Sequence, residues 1–108
     1  MDSQEQYSVD VSILIKESPP KIKPPQMYQV VIYNDDFTPM DFVVEILRIF
    51  FLKSKAKATE IMIRIHCTGK AVCGIYTKNI AETKVSQVRT YARQHEYPLR
   101  CEMMPLDS

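Results

Sequence analysis

The chain has 108 residues, enough for one domain, and its 45% hydrophobic and 25% charged residues are ordinary for a globular protein. Fourteen basic residues against 13 acidic give a net charge of +1, with 11 and 9 over residues 27–108, and the basic residues are scattered, so no nucleic-acid footprint appears. No apolar run nears the ~20 residues that cross a bilayer, and the N-terminus lacks the basic start and apolar core of a secretory signal, which excludes a membrane role and makes the cytoplasm the expected compartment.

Residues 1–26 read as a flexible N-terminal extension. Met1 to Asp10 is polar, Val11 to Ile15 offers one short apolar patch, and four prolines between Ser18 and Pro25 fix an extended spacer that cannot supply ladder donors. Val9 to Ile15 reads equally as terminal chain or as a partner-binding segment. The core domain, residues 27–108, opens with a strand from Met27 to Tyr33. Tyr28, Val30 and Ile32 fall on one face and Met27, Val31 and Tyr33 on the other, so a well-covered strand is predicted.

A helix follows. Thr38 suits its N-cap, Pro39 its first position, and Asp41 its positive dipole end. Phe42, Val43, Ile46, Leu47, Phe50 and Phe51 repeat at helical spacing, making this the principal core helix. Ser54 is a candidate cap for a second helix from Lys55 to Cys67, on which Ala58, Ile61, Met62, Ile65 and His66 share a face. Gly69 supplies its left-handed stop. Ala71 to Tyr76 reads as a strand, with Gly74 at a close backbone approach. Thr77 or Asn79 caps a third helix from about Ile80 to His95, striped by Ala81, Val85, Val88 and Ala92. Pro98 ends that region, and Leu99 to Met104 makes the last strand. The predicted fold is a single two-layer α+β domain in the order β-α-α-β-α-β, three helices on a small three-stranded sheet.

Candidate chemistry is sparse. Asn34, Asp35 and Asp36 stand at the first strand-to-helix corner, where Asn and Asp also serve as ordinary turn formers. The bland reading is a well-made turn; the sharper one is a cluster of acceptors aimed at a cation. His66 is the one histidine on an apolar face, and a lone histidine there is usually structural. The corner lacks the alternating ligands and central glycine of a calcium loop. His66 and Cys67 are adjacent on a helix and point about 100° apart, and no Cys-x-x-Cys pair exists, so no metal site is expected. No Ser or Cys sits in a nucleophile elbow, and two glycines cannot build a phosphate cradle. The cysteines at 67, 73 and 101 sit in apolar periodic segments and read as buried reduced thiols. Nothing reads as an active site, and no cofactor is expected.

The run Val30-Val31-Ile32-Tyr33-Asn34-Asp35-Asp36-Phe37-Thr38-Pro39-Met40-Asp41-Phe42-Val43-Val44 closely resembles the ClpS adaptor family. So do Ala58-Thr59-Glu60-Ile61-Met62 through His66, Gly69-Lys70-Ala71-Val72-Cys73-Gly74, and Ala81-Glu82-Thr83-Lys84-Val85 with Tyr97-Pro98-Leu99. The resemblance spans about residues 24–104. It implies an adaptor, not an enzyme, that binds substrates beginning with Leu, Phe, Tyr or Trp (N-degrons) and passes them to a ClpA-type AAA+ unfoldase for degradation by ClpP. By resemblance, Asn34, Asp35, Asp36 and His66 receive the substrate's α-amino group. Thr38, Met40, Val43, Met62, Ile65 and Leu99 line the side-chain pocket, with Met40 gating against β-branched residues. The unfoldase docks through the region from Lys78 to Lys84; Lys84 is retained, whereas Asn79 stands where the family often carries an acid. The partners expected are therefore that unfoldase and N-degron substrates, with a monomeric adaptor. The alternative is a docking module for an AAA+ or ribosomal partner that does not read N-termini.

Overall fold

The computed structural model describes residues 23–107. The extension read over residues 1–26 lies, through residue 22, outside the described residues. Strand β1 (Met27–Tyr33) is followed by helices α1 (Met40–Phe50) and α2 (Lys55–Thr68), strand β2 (Lys70–Thr77), helix α3 (Lys78–Gln94) and strand β3 (Arg100–Pro105). This is the predicted β-α-α-β-α-β order. The sheet runs β2-β1-β3 with both neighbours antiparallel to β1.

Placing β1 in the centre explains its double-sided apolar pattern. Val30 and Ile32 are fully buried in a core shared with Phe42, Val43, Ile46 and Leu47 of α1, and with Val85 and Val88 of α3. Val31 turns to the opposite face and is still only 3% exposed. Burying such side chains contributes about 1.5–3 kcal/mol each. The register shifts between Val30 and Val31, where Cys73 is the extra residue on β2. One residue on, a Cβ built on Gly74 would overlap the Tyr76 ring, which accounts for glycine at the expected close approach.

The helix boundaries hold three differences from the sequence reading. Thr38 is not the cap of α1: Pro39 is, in extended conformation (φ −64°, ψ 146°), and its carbonyl accepts from Phe42 N at 3.1 Å and Val43 N at 3.2 Å. The Thr38 hydroxyl is instead turned back to donate to Asp35 Oδ2 at 2.8 Å and, among the described residues, accepts from no helix amide. The start of α3 is two residues earlier than expected, directly after Thr77, which makes no side-chain cap bond. Helix α1 ends at Phe50, one residue short of Phe51, the last of the predicted apolar repeat, and Leu52 takes a left-handed φ of 55°. For α2 the expected ends hold: Ser54 Oγ accepts from Lys57 N at 3.1 Å, and Gly69 (φ 96°) closes on Ile65 O at 2.9 Å.

Candidate functional site

The sheet register assembles the corner. Tyr33, the last residue of β1, pairs with Lys70 on one side and Arg100 on the other. Asn34 therefore leaves the sheet between the end of α2 and the start of β3, and its N–H donates to Gly69 O at 2.8 Å. His66 lies three residues before Gly69, and Leu99 one residue before Arg100. Residues separated by 65 positions in sequence thus meet at one end of the sheet because β1 is central.

Within the corner the three acceptors differ. The Asp35 carboxylate is occupied locally: Oδ1 accepts from Phe37 N at 2.8 Å and Thr38 N at 2.7 Å, and Oδ2 from the Thr38 hydroxyl at 2.8 Å. These are the turn bonds expected of an Asx motif. Among the described residues the side chains of Asn34, Asp36 and His66 make no hydrogen bond with protein, and all three are exposed. Three donor-seeking groups are therefore open to solvent, next to a fourth that holds the loop.

The six apolar candidates sit at graded depth. Val43, Ile65 and Leu99 are buried in the core, and Met62 is half-buried and packed against it. Thr38 is half-buried, and Met40 is 47% exposed. Met40 and Val43 lie on α1, Met62 and Ile65 on α2, and Leu99 just before β3, and the main core backs the buried ones. Tyr97, just before Leu99, is set edge-on to Phe42 at 4.6 Å, and Phe42 stacks on Tyr91 at 5.6 Å, so the 97–99 segment is clamped to α1 and α3.

The two α3 candidates have contrasting surroundings. Asn79 is exposed in the first turn. Lys84 is half-buried, its ammonium donating to Phe50 O at 2.7 Å and lying 5.7 Å from the Tyr76 ring centroid. It caps the C-terminus of α1, a role its sequence position did not disclose.

The thiols divide. Cys73 and Cys101 are buried, and desolvation pushes each up to about 12. Cys67, expected to be buried, is exposed, since it lies a helical step away from the Ile65 stripe in the last turn of α2. Among the described residues no His, Cys, Asp or Glu cluster could hold a metal ion, and no helix is long and apolar enough to cross a membrane.

The family model described as "ATP-dependent Clp protease adaptor protein ClpS" matches residues 23–102. The chain belongs to the ClpS family. ClpS adapter proteins that it resembles include those of Hydrogenovibrio crunogenus, 52% identical over 87% of this chain and 90% of that one, and of Shewanella piezotolerans, 59% identical over 77% and 81%. Among solved structures, Agrobacterium tumefaciens ClpS2 bound to L-phenylalaninamide superposes with a TM-score of 0.74 at 32% identity, over 76% of this chain and 99% of that one. The chain is accordingly a Clp protease adaptor and not an enzyme.

Proposed function

We propose that this adaptor binds proteins whose first residue is Leu, Phe, Tyr or Trp and delivers them to a ClpA-type AAA+ unfoldase for degradation by ClpP. The observation that carries the reading is the Asn34–Gly69 bond, which joins the open acceptors of the corner to the C-terminal turn of α2 and its His66. A free α-amino group is a cation with three donors, and it wants several converging acceptors. Asn34, Asp36 and His66 supply them. Asp35 acts by shaping the loop, its carboxylate taken by Phe37 and Thr38. The first side chain lies against Val43, Met62, Ile65 and Leu99, with Thr38 at the rim and Met40 as an adaptable gate. L-phenylalaninamide, the ligand of the Agrobacterium protein, is a free-amine phenylalanine with its carboxyl blocked, the chemistry of a protein's first residue. Docking to the unfoldase uses the first turns of α3 around Asn79 and Lys84, and the adaptor works as a cytoplasmic monomer.

The test is fluorescence anisotropy with a Leu-initiated peptide and its N-acetylated twin. Acetylation removes the charge and two donors, so the twin binds about a hundredfold more weakly, the loss of charge-assisted hydrogen bonds to the acceptors. Equal binding, or none to either, would leave a docking module that does not read N-termini.

A further inference from the structure

Leu99 belongs to two surfaces. Besides the apolar wall, it lines an open groove of about 540 Å³ together with Arg89, Arg93, Tyr97, Pro98 and Arg100. Three guanidinium groups and no carboxylate line this groove. These arginines are dispersed in the sequence and come together only because α3 packs along β3.

Two of the three are held in position. Arg89 Nε donates to Cys101 O at 3.0 Å. Arg100 lies over the Tyr33 ring at 4.2 Å, and its Nε donates to Glu102 Oε2 at 2.7 Å. Arg93 makes no ion pair among the described residues. The adjoining groove further along α3 and β3 also contains Arg89 and Arg93, but there Glu82 and Glu102 balance them. The uncompensated positive charge at the Leu99 end is thus that of Arg89 and Arg93, with Arg100 paired to Glu102.

We infer that this groove receives the residues that follow the first residue of the substrate, and that it selects acidic ones. The inference rests on the N-terminal reading above, which puts the first side chain against Leu99. An extended chain advances by about 3.3–3.6 Å per residue, so positions two to five cover about 13 Å leading away from that wall. A carboxylate there meets the two-pronged donor edge of the unpaired Arg93, with Arg89 beside it, while the Arg100 fork is held by Glu102 through Nε and a second nitrogen. The pocket sets which first residue binds, and the groove ranks substrates that share it.

Anisotropy with three Leu-initiated peptides tests this, identical except for Asp, Ser or Lys at positions two to four. Solvent-exposed pairs contribute little singly, so one or two of them, at Arg93 and Arg89, predict an Asp peptide about fivefold tighter than the Lys peptide at low salt. The ratio shrinks at about 0.5 M salt, where screening is nearly complete. In Arg93→Glu it falls to about one or inverts, with circular dichroism checking the fold. Equal affinities for the three peptides, or an Asp preference unmoved by both salt and Arg93→Glu, would overturn the groove while leaving N-terminal recognition standing. If no free-amine peptide outcompetes its acetylated twin, the N-terminal reading fails and the groove assignment falls with it.

Discussion

Asp35→Ala separates a loop-holding carboxylate from a ligand-binding one. Three bonds of 2.7–2.8 Å end on this side chain, two from backbone amides and one from a hydroxyl. Losing a capping-type acceptor costs about 1 kcal/mol, and the hydroxyl bond adds about another 1 kcal/mol. The Phe37 amide is exposed and water replaces its partner, whereas the Thr38 amide is half-buried and is not so easily satisfied. The expected loss is about 2 kcal/mol, which in a domain of this size lowers Tm by about 8–16 °C. Thermal unfolding followed by far-ultraviolet circular dichroism measures it. Asp35→Asn keeps one oxygen for the two amides, while its NH2 can donate to the Thr38 hydroxyl, so it loses about half as much. An Asp35→Ala protein melting within about 2 °C of the parent would show that the three bonds do not hold the corner, and the residue would return to the amine-binding set.

Met40→Ala should admit Ile- and Val-initiated peptides, gaining about 1–3 kcal/mol for the formerly misfitted methyl; unchanged rejection of both puts selectivity elsewhere. His66→Phe, which keeps the ring's bulk and removes its nitrogens, should weaken binding of a Leu-initiated peptide about tenfold; unchanged affinity removes His66 from that role. Lys84→Ala should lower stability by about 1–2 kcal/mol through the lost bond to Phe50 O. Unfoldase binding lost at full stability would instead make Lys84 purely a docking residue. For the thiols, a disulfide reagent at pH 8 should titrate Cys67 at once and Cys73 and Cys101 only on unfolding. Because burial raises both folded-state values to about 12 from 9.0, their contribution is full below pH 9. It is lost as pH rises toward 12, so denaturant midpoints should fall along that alkaline limb, and fall less in Cys73→Ala.

Local chemistry made much of the fold legible. Helix α1 announced itself through Phe42, Val43, Ile46 and Leu47 at 3.6-residue spacing, and α2 through Ser54 and Gly69 at its ends. These signals are read within a few residues, and the energies behind them are local. Where two local preferences competed, sequence misjudged the winner. Thr38 is a good cap in isolation, yet Asp35 captures its hydroxyl and Pro39 takes the cap. Cys67 sits in an apolar-looking run, but helical phase turns it to solvent.

The candidate site was legible in sequence as residue types and not as a place. Asn34 meets the end of α2 through the central position of β1, whose register sets Tyr33 between Lys70 and Arg100 and lets the Asn34 amide reach Gly69 O. Lys84 on α3 reaches the last carbonyl of α1 by the same kind of long-range contact. The arginines at 89, 93 and 100 looked scattered because sequence distance says nothing of α3 lying along β3. By itself the sequence determined which segments are helix or strand, since periodicity and caps act over one or two turns. Strand order and helix packing, which depend on burying one shared core, decided which polar groups face one another and which charges stand beside Leu99.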